Sequence, residues 1–375
     1  MKKILYCLLV GASFISQSCI NDNEDPVSVA KIEGAIADPR VGGATQPNQV
    51  WIDLSETDPI TKGPVQKLTR RTDWDLALYS GPEFKVVLNS SIMMAAAKIP
   101  NVTDFSQVTE ATVSTLKNQV QVANFNPANE VYIDDVKGNF PSGYTAIGEI
   151  KANDSENAVY LVNMGKEIYN GSVPVGSVAT GGDSRGWKKV QILRSGEGYK
   201  VKSADIDGSN YFEITVGKNT AYNYNFISLK NKNEVSIQPE KKKWDLCFTV
   251  FTNTIAGAGS YIYADFVTIN NVSGTGAYEV IVPAGTSGME AYNNFKTSDI
   301  NPSKFIYNDQ RVIGSNWRNP VGTNGLEVYG DRFYILKDPN GYYFKLRFTR
   351  LTKANTDDQG VKDERGFPSF EYKPL

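Results

Sequence analysis

The tripeptide Trp-Asp-Leu occurs twice, beginning at Trp74 and at Trp244, and each copy ends a basic run and opens an apolar stretch. Four other pairs of segments repeat around the two copies in the same order. These pairs are 51–54 with 226–229, 86–89 with 267–270, 159–162 with 333–336, and 189–191 with 345–347. Collinear repetition indicates an internal duplication, and two copies are too few for a solenoid. The chain is therefore predicted to contain two modules built on one plan.

The N-terminus has the pattern of a bacterial export signal. Two lysines precede an apolar run over 4–15, and a short polar stretch then leads directly to Cys19. This pattern predicts a lipoprotein signal peptide over 1–18 and a lipid on the Cys19 thiol. The alternative is an ordinary secretory peptide in which Cys19 is incidental. The apolar run is too short to span a bilayer as a helix.

The rest of the chain divides into a tether and the two modules. The polar, acidic stretch after Cys19 predicts a flexible tether over 19–46. The first module is predicted over 47–219 and the second over 220–375, with the boundary near 217–220. About 350 residues remain after removal of the signal, which is enough for two cored domains.

Composition excludes several functional classes. Without the two signal lysines, 37 basic side chains face 41 acidic ones, a net charge of −4, so nucleic acid is not an expected partner. The chain has no histidine. This removes the commonest general base, zinc ligand and haem ligand, and it excludes the usual serine or cysteine triad. Besides Cys19, the mature chain has only Cys247, so no disulfide is expected within it.

Strand patterns dominate and predict an all-β fold of mainly antiparallel sheets with few short helices. Turns are predicted at 195–198 and, within a hairpin, at 338–341. Helical spacing of Val113, Leu116 and Val120 predicts a helix over 109–122, and a shorter helix is predicted over 289–295. The predicted strands are 49–54, 75–79, 84–88, 158–163, 188–193, 211–216, 223–229, 246–252, 261–269, 278–282, 332–336 and 342–348.

The second module presents several motifs in a definite order. Gln238-Pro239 precedes the segment 243–249 around Trp-Asp-Leu, and a glycine-rich segment and the strands at 332–335 and 343–346 follow. This order resembles the HmuY family of Bacteroidetes lipoproteins, which the first module resembles more loosely. The resemblance implies a mostly β, non-enzymatic protein that binds haem or a related tetrapyrrole and passes it to a TonB-dependent receptor. The acidic residues after Cys19 resemble the signal that places such lipoproteins on the outer face of the outer membrane.

The resemblance also implies positions for haem ligands. The best-known members hold the iron with two histidines, one of them just after the Trp-Asp motif. In this chain Tyr79 and Thr249 occupy that position. Tyr79 is a candidate ligand because phenolate binds ferric iron in some haem proteins. The alternative for Tyr79 is packing.

Methionines are the other candidate ligands, because family members that lack the histidines are thought to use a methionine pair. Met93 and Met94 are adjacent and precede three alanines, and Met289 lies in a glycine-containing stretch of the second module. Thioether sulfur is a soft ligand that favours reduced iron. The alternative is that Met93 and Met94, like Met164 at a strand end, fill the core.

The repeated motif itself is predicted to be structural. Trp74 and Trp244 occupy the same place in both modules, as core anchors would. Asp75 and Asp245 are predicted to accept hydrogen bonds from nearby main-chain amides or from the preceding basic side chains. The lysine run 241–243 is predicted to be solvated, with haem propionates as the functional alternative.

Three functional hypotheses follow. The first is a surface lipoprotein that binds haem, whose iron would be the only metal. The second is a cofactor-free surface module that binds glycan or docks to an outer-membrane receptor, which the absence of histidine and the many tyrosines favour. The third is a glycosidase with paired carboxylates, which needs no histidine, but the sequence identifies no such pair.

Overall fold

The computed structural model describes residues 32–102, 104–322, 325–353 and 364–375. Within these ranges the strands are β1 Ala35–Ala37, β2 Asn48–Thr57, β3 Pro64–Arg70, β4 Leu76–Tyr79, β5 Val86–Leu88, β6 Ala95–Lys98, β7 Val159–Asn163, β8 Trp187–Ser195, β9 Gly198–Asp205, β10 Phe212–Val216, β11 Tyr224–Ser228, β12 Asn233–Val235, β13 Leu246–Ile255, β14 Gly259–Ile269, β15 Gly276–Ile281, β16 Arg318–Gly322, β17 Gly325–Val328, β18 Arg332–Lys337, β19 Tyr343–Thr352 and β20 Arg365–Pro374. The α-helices there are α1 Glu110–Lys117 and α2 Gly288–Asn294. The paired strands run antiparallel, which confirms the predicted fold class.

The predicted helices are present, but the first is shorter than predicted. Thr109 is the N-cap of α1, and the helix ends at Lys117 rather than at residue 122. Beyond it the amides of Gln119 and Val120 both donate to Leu116 O, which closes the helix with a tighter turn. Val113 and Val120 are nevertheless both buried, as the apolar spacing predicts. The predicted helix was too long because the apolar spacing on which it rested continues from the helix into this turn.

The N-terminal strand belongs to the folded part of the chain. β1 pairs with β20, and Ala37 and Val41 are buried. The flexible tether predicted over 19–46 is therefore wrong at its C-terminal end. The strand was missed because it is short and is held mainly by main-chain hydrogen bonds, which leave little pattern in the side chains. The predicted signal peptide over 1–18, Cys19 and the tether up to residue 31 lie outside the described residues.

Two five-stranded sheets repeat the same plan. One has the order β10-β9-β8-β7-β6 and the other β1-β20-β19-β18-β15, so β1 takes the place of β10. Leu161 faces Lys189 across one strand pair as Ile335 faces Lys345 across the other. Both lysines are buried and donate to main-chain carbonyls, at 3.1 Å and 2.7 Å respectively. The repeat seen in the sequence is thus a repeat of topology and register.

The two modules exchange their first hairpins. Hairpin β2-β3 pairs with β13-β14 of the second module, and hairpin β11-β12 pairs with β4-β5 of the first, which gives two four-stranded sheets of matching order. The core of each module therefore contains strands from the other: Val50 and Ile52 pack with Leu246, and Ile227 and Leu229 pack with Leu76. Residues 32–375 form one compact unit. Among the described residues, no helix is both long and apolar enough to cross a bilayer.

The motif aspartates tie each exchanged hairpin to its host module. Asp75 Oδ2 accepts the main-chain amide of Leu229 at 2.7 Å, and Asp245 Oδ2 accepts that of Leu54 at 2.7 Å. The Asp75 amide in turn donates to Ile227 O, and the Asp245 amide donates to Ile52 O. The aspartates thus bind main-chain amides across modules, not the basic residues that precede them.

Two asparagines fix the loop that leads into each motif. Asn89 Nδ2 donates to Trp74 O at 2.8 Å and to Arg71 O at 2.7 Å. Asn270 Nδ2 makes the corresponding bonds to Trp244 O at 2.9 Å and to the carbonyl three residues earlier at 2.8 Å. These are the two asparagines that end a repeated sequence segment, and their equal roles explain why both copies carry one.

The surroundings of the two aspartates differ in charge. Asp75 forms a buried ion pair with Arg185, at 2.7 Å. Asp245 instead faces the carboxylates of Asp53 and Asp338, and both of these have a buried oxygen without a partner among the described residues. Burial, and then repulsion by Asp53, raises the pKa of Asp245 well above its usual range. Burial also raises the pKa of Asp53 and of Asp338.

The hairpin exchange can be tested by cutting the chain between the modules. We expect that a protease site inserted between Asn219 and Thr220, which are exposed, can be cleaved while the two fragments remain associated, because each fragment supplies a hairpin to the other. Size-exclusion chromatography in buffer and in urea measures this. The same insertion in the exposed turn at 207–208, inside one module, is the control for cleavage itself. Separation of the 219/220 fragments in buffer would contradict the exchange.

The aspartates provide a matched pair of substitutions. Asp75→Asn should lower the free energy of unfolding by about 3 kcal/mol at neutral pH, because it removes the carboxylate that lies 2.7 Å from the buried Arg185 guanidinium and leaves only that of Glu167, at 3.5 Å. Asp245→Asn should lower the free energy of unfolding by less than this. The stability of this variant relative to wild type should increase as the pH rises from 5 to 8. When the pKa of a carboxyl is higher in the folded than in the unfolded protein, the folded state becomes less stable as the pH rises above the unfolded pKa, near 4. The asparagine amide does not titrate, so the variant lacks this loss. Urea unfolding at several pH values measures both variants, and parallel pH profiles for wild type and Asp245→Asn would refute the account.

Candidate functional site

A surface groove opens where the two modules meet. Its volume is about 420 Å³. The first module contributes the end of β4 and the loop after it, and the second contributes the approach to β11, the lysine run and the turn after β14. The lining residues are Tyr79, Ser80, Gly81, Pro82, Thr220, Tyr222, Asn223, Lys241, Lys242, Val272 and Ser273. We refer to this set as the Tyr79 groove.

Tyr79 is held in place by its main chain and by its neighbours. Its amide donates to Lys85 O, and its carbonyl accepts the hydroxyl of Tyr199 at 2.8 Å. Its ring lies 5.7 Å from that of Tyr224 and closely over Gly81, where a Cβ atom would fall 2.4 Å from the ring. A side chain at position 81 would therefore require the Tyr79 ring to move. The side chain remains only half-buried.

The loop after Tyr79 is held by a partly buried lysine. Lys218 Nζ donates to Gly81 O at 2.6 Å and to Glu83 O at 3.0 Å, and it lies 3.6 Å from the centre of the Phe84 ring. Burial lowers the pKa of Lys218. Pro82 O accepts from the same Nζ at 3.2 Å, so three carbonyl acceptors and an aromatic face surround one ammonium group on this side of the groove.

The opposite wall is a chain of hydrogen bonds from the second module. Asn223 Nδ2 donates to Asn270 Oδ1 at 2.9 Å, and Ser273 Oγ donates to Asn223 Oδ1 at 2.8 Å. The amide of Lys241 donates to Ala221 O at 2.9 Å, which fixes the lysine run beside the groove. Both walls are thus held by hydrogen bonds within the protein.

The charges at the groove favour an acidic ligand. Lys241 and Lys242 are exposed, and within the described ranges neither forms an ion pair, whereas Lys243 pairs with Glu56 at 3.0 Å. Burial, and then the nearby Glu83, raises the pKa of the Tyr79 phenol. The groove therefore presents a phenol that favours its neutral form and two ammonium groups that form no ion pair within the described ranges.

The structure does not bring the methionine candidates together as a ligand pair. Met94 is buried in the core of the first module, and its relative exposure is 1%. Met93 closes a short turn in the left-handed conformation, with φ at 65°, and its methyl group lies against Gly181. Met93 is half-buried, and neither side chain lines the Tyr79 groove.

The other two methionines lie elsewhere. Met289 lies on α2 in the second module and is half exposed, and Met164 is buried in the same core as Met94. Of the predicted haem ligands, only Tyr79 lines the groove. Thr249, which occupies the same position in the second module, is buried and accepts a hydrogen bond from Gln49 Nε2 at 3.2 Å. The position is thus open in one module and closed in the other.

The motif tryptophans lie in the interior. Trp74 packs edge-to-face on Phe226 with ring centres 4.9 Å apart, and Trp244 packs in the same way on Trp51 at 4.8 Å. Phe226 and Trp51 come from the exchanged hairpins. The tryptophans thus contribute to the junction between modules, and neither lines the Tyr79 groove.

Sequence reasoning missed Tyr222 and the loop 80–82. Tyr222 precedes β11, and the sequence placed it next to a module boundary, where no site was expected. The Gly81-Pro82 dipeptide directly after Tyr79 was an available signal, since glycine and proline mark turns and permit close approach. The lysine run was noted, but nothing in the sequence placed it beside Tyr79.

Comparison with known families agrees with the repeat. A family model described as HmuY protein matches the chain twice, over residues 45–223 and 219–372. The chain therefore belongs to the HmuY family and contains two tandem HmuY-like modules, which confirms the resemblance seen in the sequence. The family is a non-enzymatic, haem-binding one whose members are typically extracellular or surface proteins. No curated protein and no solved structure matches the chain.

The two adjacent methionines should differ sharply in their effect on stability. We expect Met94→Ala to lower the free energy of unfolding by about 3 kcal/mol, because it leaves a cavity in the core. Met93→Ala should cost less than about 1 kcal/mol, since the side chain is half-buried. Met93→Gly should be neutral or stabilising, because glycine accepts a positive φ without strain. Urea unfolding without haem measures all three, and equal losses for Met93→Ala and Met94→Ala would contradict these positions.

Proposed function

We propose that this member of the HmuY family binds haem, or a related tetrapyrrole, in the Tyr79 groove and catalyses no reaction. One observation carries the proposal. Tyr79, for which the family resemblance suggests a role as haem ligand, lines the same groove as two lysines that have no ion-pair partner within the described ranges. Family membership supports haem as the ligand class.

The residues of the groove fit such a ligand. A volume of about 420 Å³ lies within the range of small-molecule and cofactor sites. The Tyr79 phenol can ligate ferric iron, and the ammonium groups of Lys241 and Lys242 can bind the propionate carboxylates. Tyr222 and the exposed part of Tyr79 provide aromatic surface for a flat ring. When bound, haem would supply the iron, and the protein's part would be to hold and orient it.

The ligand set that this groove implies differs from a methionine pair. A phenolate is a hard ligand and stabilises ferric iron, whereas thioethers stabilise ferrous iron. The neutral phenol of the free protein must lose its proton to ligate, so binding should release a proton and strengthen with pH. The dependence of haem affinity on iron oxidation state and on pH thus distinguishes ligation by Tyr79 from ligation by the methionines.

We further propose that the protein is anchored in the outer membrane through a lipid on Cys19 and faces the cell surface. The export signal and the acidic residues after Cys19 support this localisation. The partner would be a TonB-dependent receptor that accepts the tetrapyrrole. The family, whose members are typically surface proteins, is consistent with this role.

A cofactor-free binding module is the second candidate. The groove also presents hydroxyl and amide groups from Ser80, Thr220, Asn223 and Ser273 beside the two tyrosines. Aromatic faces with hydroxyl and amide partners suit a sugar. Affinity electrophoresis in gels that contain polysaccharide would identify this function, if retardation is lost in Tyr222→Ala and hemin does not bind.

Hemin titration of the mature protein tests the haem proposal. We expect a shifted Soret band under air that saturates near one haem per chain, because the position of Thr249 is closed. Affinity should rise with pH between 6 and 8 and fall under dithionite. Tyr79→Phe keeps the ring over Gly81 but removes the ligand, so it should lower ferric affinity by at least tenfold.

Matched variants control for indirect effects. Tyr222→Phe alters the same groove without removing the iron ligand, and Met93→Leu and Met94→Leu keep the side-chain volume, so all three should retain ferric binding. Lys241→Gln with Lys242→Gln should weaken binding mainly at low salt. Absence of a Soret change in both oxidation states would exclude haem binding. Binding seen only under dithionite, and lost in Met93→Leu, would assign the site to methionine instead.

A further inference from the structure

A cavity lies inside the junction of the two modules, between the two four-stranded sheets. Its volume is about 100 Å³. Trp51, Trp74 and Trp244 line it, together with Phe226 and Tyr224. These side chains come from both modules and from both exchanged hairpins. The cavity therefore exists only because the hairpins are exchanged.

Three polar atoms in the cavity wall have no hydrogen-bond partner in the described part of the protein. They are Trp244 Nε1, Tyr224 Oη and Gln238 Oε1. The relative exposures of these residues are 5%, 7% and 8%, so all three are more than nine-tenths buried. A buried polar group without a partner costs about 1–3 kcal/mol. One donor, one acceptor and one hydroxyl that can do either thus belong to residues that line the same cavity.

The neighbouring polar groups in the wall are already bonded. Trp74 Nε1 donates to Gln49 Oε1 at 2.8 Å, and Trp51 Nε1 donates to Thr69 Oγ1 at 3.0 Å. The carboxylate of Asp134 accepts two main-chain amides. Of the three tryptophans in the wall, Trp244 is the one whose indole N–H has no partner among the described residues. The unpartnered atoms are therefore a particular set and not a general property of the lining.

We propose that this cavity is a second binding site, which takes a small, flat, neutral molecule with one hydrogen-bond donor and one acceptor. The indole N–H of Trp244 would donate to the acceptor, and the amide oxygen of Gln238 would accept from the donor. A cavity of about 150 Å³ binds benzene, so this one admits a somewhat smaller ring. The aromatic walls provide edges and faces for such a ring.

The site is distinct from the Tyr79 groove. A volume of about 100 Å³ is far below the range for cofactor sites, so a tetrapyrrole does not fit. The groove and the cavity share only Asn223 and Val272 in their walls. Binding here does not depend on whether the groove binds haem.

A route to the cavity exists through the segment that follows β12. Tyr224, Phe226 and Gln238 line both the cavity and a neighbouring surface pocket of about 260 Å³. Lys67 Nζ holds this segment by donating to Ser236 Oγ at 3.1 Å and to Gln238 O at 3.0 Å. Displacement of the segment 236–238 would connect the pocket to the cavity. Gln238 is thus both a binding group and part of the entrance.

Pyrazole is a suitable probe, because it is a small neutral ring with one donor and one acceptor, and thiophene is a ring of similar size with neither. Titration of the mature protein, followed by protein-observed NMR and by tryptophan fluorescence, measures binding of each. We expect pyrazole to bind more tightly than thiophene. Trp244→Phe should weaken the binding of pyrazole about fivefold and leave the binding of thiophene unchanged, because the substitution removes the N–H but keeps an aromatic ring. Gln238→Met should have the same effect from the acceptor side.

Trp51→Phe is the matched control. It removes an indole N–H from the same wall, but one that is bonded to Thr69, so it should change pyrazole affinity by less than about twofold. A crystal structure with pyrazole should place the ring between Trp244 and Gln238. Equal affinities for the two probes, equal effects of Trp244→Phe and Trp51→Phe, or a crystal structure with only ordered water in the cavity would each overturn the proposal.

Discussion

The structure depends on two buried aspartates that each hold a strand from the other module. Asp75 accepts the amide of Leu229, and Asp245 accepts the amide of Leu54. Each of these amides lies just beyond the last residue of its strand that pairs with the other module. A buried N–H at that place would lack an acceptor without the aspartate. Because the two contacts are reciprocal, neither module can complete its four-stranded sheet alone. The shared cores, the Tyr79 groove and the inner cavity all follow from this arrangement.

The repeat could be predicted because several residues that define it have structural roles that few other residue types can fill. Asn89 and Asn270 each bond two carbonyls, and Lys189 and Lys345 each bury an ammonium group, so both copies keep the same residue. The exchange could not be predicted. The segments 51–54 and 226–229 correspond to each other whether each pairs within its own module or with the other, so side-chain pattern cannot distinguish the two arrangements. Strand β20 was also missed, because Gly366 and Pro368 interrupt its alternation.

The candidate site was only partly visible in the sequence for a related reason. Adjacent methionines suggested a ligand pair, yet Met94 turns into the core while Met93 closes a turn with a positive φ. Neighbours in sequence commonly point in different directions in β structure. The groove instead combines Tyr79 with Lys241, which are far apart in the chain and meet through the pairing of β4 with β11. Such a site depends on the exchange and is therefore hidden until the fold is known.

The two modules have diverged, and the position after the motif is partly exposed in only one of them. The connection from β7 to β8 is long and supplies Arg185 to Asp75, whereas the connection from β18 to β19 is a tight turn. Within the described ranges Asp245 forms no ion pair. At the position after the motif, the Tyr79 ring contacts that of Tyr224 and stays half-buried. Its counterpart Thr249 is buried and accepts a hydrogen bond from Gln49. A duplicated fold needs both copies of its structural aspartates and asparagines but only one copy of a binding position. Divergence at 79 and 249, beside identity at the motif, fits the proposal that only the first module binds the ligand.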